Sequence, residues 1–144
     1  MSARVVWTFY YGSNMDLKVL ERFDYRPERV EVATLAGFDI TIAPLANLLP
    51  SEGRSVYGIL ATGTHADLER LYGRYVQDEL GAVYRPEAVL CRTLDERWVP
   101  ALCYIADPMD PAPATDDYLE RILRPARDFG FPGWYIEKLE AFRP

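Results

Sequence analysis

Val5-Val6-Trp7-Thr8-Phe9-Tyr10-Tyr11-Gly12-Ser13-Asn14 is the stretch from which the rest of the chain can be read. Its first seven residues are all β-branched or aromatic, the composition of a buried strand. Gly12-Ser13-Asn14 ends that strand, and the spacing beyond it predicts a helix over 15–23 with Ser13 or Asn14 as N-cap. The opening unit is therefore strand, tight polar turn, helix. Gly12 lets the backbone turn sharply and lets a ligand come close. The first amides of a helix have no internal partner, and with the helix dipole they favour a carboxylate. Tyr11 adds a ring wall and a hydroxyl. The same four residues would equally serve as a plain helix start beside a core tyrosine.

Outward from that unit, residues 29–43 read as a second extended region, interrupted near Gly37. Leu45-Ala46-Asn47-Leu48-Leu49-Pro50 reads as a loop and Ser51-Glu52-Gly53 as a turn, followed by a strand over 55–61. Thr64 is the expected cap of a helix whose apolar face is Ala66, Leu68, Leu71, Tyr72 and Tyr75. Residues 83–93 and 98–105 form an expected β-hairpin around Leu94-Asp95-Glu96-Arg97. Pro108, Pro111 and Pro113 make residues 107–115 a stiff loop. Helical spacing returns over 116–129, where Pro125 is expected to kink or end the helix, and a last helix is expected over 134–142 with Trp134-Tyr135 packing it onto the core. Strands dominate the middle and do not alternate with long helices, so the expected class is α+β, a curled sheet or small barrel with peripheral helices, rather than a doubly wound sheet.

The 144 residues suit one domain, spanning 1–144. A formal net charge of −6 disfavours nucleic acid as a partner. No apolar run approaches a membrane span, and Met1-Ser2-Ala3-Arg4-Val5-Val6-Trp7 has no signal-peptide core, so the cytosol is the expected compartment. Cys91 and Cys103 are expected as small core residues, and with a lone His65 they are too few for a zinc site. His65, at a helix start, is expected to be exposed, with no nucleophile placed beside it. No phosphate-binding glycine loop is present. Oligomeric state is not readable from the sequence.

Phe9-Tyr10-Tyr11-Gly12-Ser13-Asn14 resembles the Phe-Ala-Tyr-Gly-Ser-Asn signature of the γ-glutamylcyclotransferase superfamily, which includes the AIG2-like proteins. The resemblance continues in order through Ala46-Asn47-Leu48, Val56-Tyr57-Gly58-Ile59-Leu60, Leu68-Glu69-Arg70-Leu71, Tyr84-Arg85 and Pro113-Ala114-Thr115-Asp116-Asp117-Tyr118. It implies a small barrel-like domain. It also implies a reaction in which the free α-amine of a γ-glutamyl peptide or amine attacks the γ-carbonyl. 5-Oxoproline forms and an amino acid or amine leaves, with no cofactor or metal. Tyr11, Gly12, Ser13 and Asn14 would form the binding turn, with Tyr84 and Tyr118 as pocket tyrosines.

The catalytic glutamate of that family lies in a Leu-Asp-x-x-Glu-Gly segment, and the chain departs from it. The in-register segment here is Leu68-Glu69-Arg70-Leu71-Tyr72-Gly73, which puts Tyr72 at the glutamate position. A phenol with an ordinary pKa of about 10 is a poor base at neutral pH. In a second register Asp78-Glu79-Leu80-Gly81 precedes Tyr84, and Glu79 becomes the candidate acid/base, with Glu69 a further candidate. Two readings follow: a cyclotransferase using Glu79, or a member that keeps the pocket, lacks the glutamate, and binds a small amino-acid-like ligand or a protein partner. They are separated by which of Tyr72 and Glu79 enters the pocket.

Overall fold

The computed structural model describes residues 4–144, so the reading of the first three residues lies outside it. The chain runs β1 (Val5–Tyr10), a 3-10 turn (Ser13–Met15), α1 (Leu17–Arg22), β2 (Val30–Ile42) and β3 (Ala46–Thr64). It continues through α2 (His65–Arg70), which runs directly into a π-helix (Leu71–Glu79), then β4 (Tyr84–Thr93) and β5 (Trp98–Ala106). It ends with α3 (Asp116–Asp128) and α4 (Gly133–Glu140). The strands close into a barrel in the order β1-β3-β2-β4-β5, the α+β architecture expected. All pairings are antiparallel except β1 with β5.

β3 organises the barrel. Its first part pairs with the end of β2 and its last part with both β2 and β1, so it bridges those two strands. The expectation of a loop at 45–50 is overturned here. Asn47, Leu48 and Leu49 pair with Thr41, Ile40 and Asp39. Asn47 is tolerated because its side chain is fully engaged: Nδ2 donates to the Ala106 carbonyl and Oδ1 accepts from the Ala106 amide, each at 3.0 Å. Pro50 sits where the ladder is already broken, since the register shifts between Ala36 and Phe38 around Gly37 at φ +88°.

The first helix also differs from expectation. Residues 13–15 make a single 3-10 turn, closed by the Met15 amide donating to the Gly12 carbonyl, and the α-helix starts only at Leu17. Its cap is Asp16, which accepts from the Lys18 amide at 2.9 Å, rather than Ser13 or Asn14. Ser13 is instead buried and bonded to a distant tyrosine. α2 has the expected Thr64 cap, completed by Asp67 as a capping box. α3 runs through Pro125 without ending, because that proline lies in its last turn on the buried face and removes only one late hydrogen bond.

Phe9, Ile59, Leu60, Cys91 and Cys103 are among the fully buried residues of the barrel strands. Leu119, Ile122, Leu123 and Ala126 bury one face of α3. Each fully buried large apolar side chain contributes about 1.5–3 kcal/mol. Tyr135 is buried under α4, whereas its neighbour Trp134 is exposed, so only half of the expected Trp-Tyr packing pair reaches the core. Among the described residues no helix is long and apolar enough to cross a membrane.

Candidate functional site

β1 runs parallel to β5 and ends in the 3-10 turn, and that turn forms one wall of a cavity at the barrel end. The wall is Tyr11, Gly12, Ser13 and Asn14. Gly12 is held close to β3: a Cβ there would lie 3.0 Å from the Ala46 Cβ. Tyr72, Val76 and Leu80 form a second wall; their i, i+4, i+8 spacing keeps them on one side of the π-helical segment. Tyr84 of β4, Tyr104 of β5 and Tyr118 of α3 complete the enclosure, with Tyr10 at its floor. The free volume is narrow, ≈ 30 Å³, which is room for water rather than for an amino acid.

Most of the hydroxyls are committed to fixing the wall. Tyr11 donates to the Tyr104 carbonyl at 2.7 Å. The Ala46 peptide is gripped at both ends, its N–H donating to Tyr118 at 3.0 Å and its carbonyl accepting from Tyr84. Tyr10 donates to Tyr25 at 3.0 Å. Tyr75, fully buried, donates to Ser13 Oγ at 3.0 Å and so ties the π-helix to the turn. Tyr72 stacks on Tyr104 with ring centroids 3.7 Å apart and planes at 11°. Asn14 Oδ1 is buried with no hydrogen-bond partner, and the Tyr72 hydroxyl lies beside the Asn14 side chain.

The electrostatics are those of a neutral site. Burial pushes the phenols of Tyr11 and Tyr72 well above their ordinary range. Burial also raises Tyr118 to about 12, against the opposing pull of the Ala46 amide and the Ser13 hydroxyl. Every phenol in the wall is therefore protonated at neutral pH, able to donate and unable to serve as a base. Among the described residues, none lining the cavity is Asp, Glu, Lys, Arg or His.

The structure thus brings Tyr11, Gly12, Ser13, Asn14, Tyr84 and Tyr118 around one cavity and leaves Glu79 outside it. The Glu79 carboxylate accepts from Arg22 Nη2 at 2.7 Å and its side chain is 43% exposed. The last turn of the π-helix faces α1 through this pair, and Tyr72 rather than Glu79 lines the cavity. Glu69 is exposed, as a helix-surface charge. Glu79 lines a separate groove, which meets the cavity at Leu80 and Tyr118. Tyr10 and Tyr104 also line the cavity and Tyr75 braces its turn, roles that no motif in the sequence marks. Tyr75 was legible only as part of an apolar helix face, because its hydroxyl partner is 62 residues away. No metal-binding cluster of His, Cys, Asp or Glu occurs among the described residues.

The family model described as "Gamma-glutamyl cyclotransferase, AIG2-like" matches residues 8–122. A solved structure described as "Gamma-glutamyl cyclotransferase" superposes with a TM-score of 0.79 at 22% identity, over 98% of this chain and 89% of that one. An uncharacterized protein from Homo sapiens gives a TM-score of 0.80 at 21% identity, over 97% and 89%. YkqA from Bacillus subtilis gives 0.75 at 22%, over 96% of this chain and 54% of that one. At these identities the likeness is one of fold. No curated protein matches the chain.

Proposed function

The chain belongs to the gamma-glutamyl cyclotransferase, AIG2-like family, and from that premise we propose that its tyrosine-walled cavity binds a small γ-glutamyl-type ligand without cyclising it. The observation that carries this reading is that Tyr72, and no carboxylate, stands in the cavity, while Glu79 is paired with Arg22 outside. A γ-glutamyl group presents an α-ammonium, an α-carboxylate and an amide. Asn14 Oδ1 is a buried acceptor suited to the ammonium, and an unpaired acceptor of this kind costs about 1–3 kcal/mol until something bonds it. The Tyr72 hydroxyl is a donor suited to a carboxylate or carbonyl oxygen. Cyclisation needs more: a base must take a proton from an α-amine whose pKa is roughly 7.7–8. Phenols held above their ordinary range do not do this at neutral pH.

The test is calorimetric titration with L-glutamic acid γ-methylamide and γ-glutamyl peptides, alongside an assay for 5-oxoproline. Saturable binding without release is expected. Release by the wild type would overturn the non-catalytic reading.

A second reading is the cyclotransferase itself: intramolecular aminolysis releasing 5-oxoproline and an amino acid or amine, with Glu79 as acid/base and no cofactor. What favours it is that the groove holding Glu79 shares Leu80 and Tyr118 with the cavity. Breaking the exposed pair with Arg22 would free the carboxylate at modest cost. Release that disappears in Glu79→Gln would establish this reading in place of the first.

A further inference from the structure

Tyr118 and Arg121 lie one turn apart on α3, and both line the groove that meets the cavity at Leu80 and Tyr118. The Arg121 guanidinium is partly exposed and pairs with Asp117 at 2.9 Å. It also lies in hydrogen-bond contact with the phenol of Tyr75. Tyr75 is fully buried and bonded to Ser13 Oγ at 3.0 Å, and the Ser13 hydroxyl in turn contacts the Tyr118 hydroxyl. A series of polar side chains thus runs from the groove, through the core, to the cavity wall.

The outer end of the series sets its direction. A guanidinium has donors and no acceptor, so Arg121 can only donate to the Tyr75 oxygen. Each hydroxyl holds one proton. Tyr75, receiving from Arg121, directs its proton to Ser13 Oγ, and Ser13, receiving from Tyr75, directs its own to Tyr118. The Tyr118 oxygen then accepts twice, from Ser13 and from the Ala46 amide at 3.0 Å. The Ala46 carbonyl beside it already accepts from Tyr84. Hydrogen bonds that run head to tail polarise and reinforce one another. Were Tyr118 to donate to Ser13 instead, the run would break there, and Ser13, 3% exposed, would hold a proton with no acceptor. The head-to-tail order leaves the Tyr118 O–H over, and Tyr118 stands in the cavity wall.

We propose that Arg121 is a positioning residue: by donating into the Tyr75–Ser13–Tyr118 series it aims the Tyr118 O–H into the cavity, towards a carbonyl or carboxylate oxygen of the ligand. The ligand contact rests on the γ-glutamyl reading of the cavity; the orientation of the hydroxyl does not, and it is measured without ligand.

The measurement is carbon NMR of the full-length protein isotopically labelled at tyrosine Cζ, whose shift responds to whether the phenol donates or accepts. Tyr75→Phe and Tyr118→Phe assign the two signals. Arg121→Met removes the donor and keeps the stem, Arg121→Lys keeps a group that only donates, and Asp117→Asn removes only the exposed ion pair. Both signals should move in Arg121→Met and stay close to their wild-type positions in Arg121→Lys and Asp117→Asn. A Tyr118 signal that ignores Arg121→Met, or that moves as far in Asp117→Asn, overturns the proposal. L-Glutamic acid γ-methylamide is then titrated into the same proteins. Arg121→Met should bind it about fivefold more weakly, the loss of one directed hydrogen bond, and Arg121→Lys should restore most of that loss. In a Tyr118→Phe background Arg121→Met should weaken binding no further; an additive loss there overturns the proposal. Failure of every form to bind the amide overturns the cavity reading and the ligand contact with it, while the orientation of Tyr118 is decided by the NMR signals alone.

Discussion

Replacing Tyr75 by Phe tests whether the π-helix holds the binding turn in place. The substitution keeps the ring in its fully buried site and removes one hydroxyl, the donor to Ser13 Oγ at 3.0 Å. Ser13 is itself 3% exposed, so water does not replace the lost partner. Leaving a buried polar group short of a partner costs about 1–3 kcal/mol, and retention of the neighbouring Tyr118 contact puts this case at about 1–2 kcal/mol. An unfolding entropy of roughly 2.1 cal/mol/K per residue gives about 0.3 kcal/mol/K for a chain of 144 residues. The expected fall in Tm is therefore about 3–7 °C, measured by calorimetry or circular dichroism. Arg121 also lies against the Tyr75 phenol, so a Tm change alone does not identify Ser13 as the partner. A double-mutant cycle with Ser13→Ala does: the two substitutions should be non-additive by about 1 kcal/mol, because either one removes the bond. Additive effects, or a Tm within 1 °C of wild type at an error of about that size, would refute the tie.

Tyr72→Glu puts a carboxylate where the family glutamate would stand. 5-Oxoproline release from γ-glutamyl peptides should appear in the variant, and a folded, ligand-binding variant with no release would show that a carboxylate at this position is not the missing part. Gly58→Ala should destabilise severely, since its Cβ would lie 2.3 Å from the Tyr10 carbonyl and 2.6 Å from the Phe9 ring. Overpacking of this kind costs about 3 kcal/mol or more; a Tm near that of the wild type would contradict it. Stability should be flat from neutral pH to about pH 9 and then fall towards pH 12. Burial raises Cys91 from 9.0 to about 12, and Tyr25 and Tyr118 from 10.0 to about 12. These groups stay protonated in the fold and ionise earlier when unfolded, so their contribution is present below the unfolded value and lost above it. Urea titrations across pH 7–11, expected to show a decline only above about pH 9, check the sign.

Legibility in the sequence tracked how local the deciding interaction was. The Thr64 cap and the β4–β5 turn rest on contacts within a few residues and were readable from spacing, and β1 was readable from its β-branched and aromatic composition although its partners are distant. Residues 46–50 were not, because Asn47 and Pro50 look like loop residues until Ala106 and the Gly37 bulge supply what each lacks. The helix start failed for a related reason: Ser13 is drawn inward by Tyr75, leaving Asp16 to cap. The gathering of turn and tyrosines at one cavity was foreseen through the family resemblance. The exclusion of Glu79 was not, since it depends on the course of a π-helix and on an arginine 57 residues away.

The barrel's closure carries one more consequence. β1 meets β5 through two residue pairs, Thr8 with Leu102 and Phe9 with Cys103, and β2 meets β4 through two, Ala33 with Thr93 and Thr34 with Arg92. The β4–β5 hairpin is thus a flap fastened by two short seams, and it carries Tyr84 and Tyr104, two of the six tyrosines that line the cavity. Partial opening along those seams costs less than global unfolding and widens a cavity otherwise too small for an amino acid. Amide hydrogens at the seams should exchange with solvent well before those of the β2–β3 ladder. A ligand bridging the turn and the flap acts as a clasp, slowing seam exchange most and reporting its own occupancy through backbone protection.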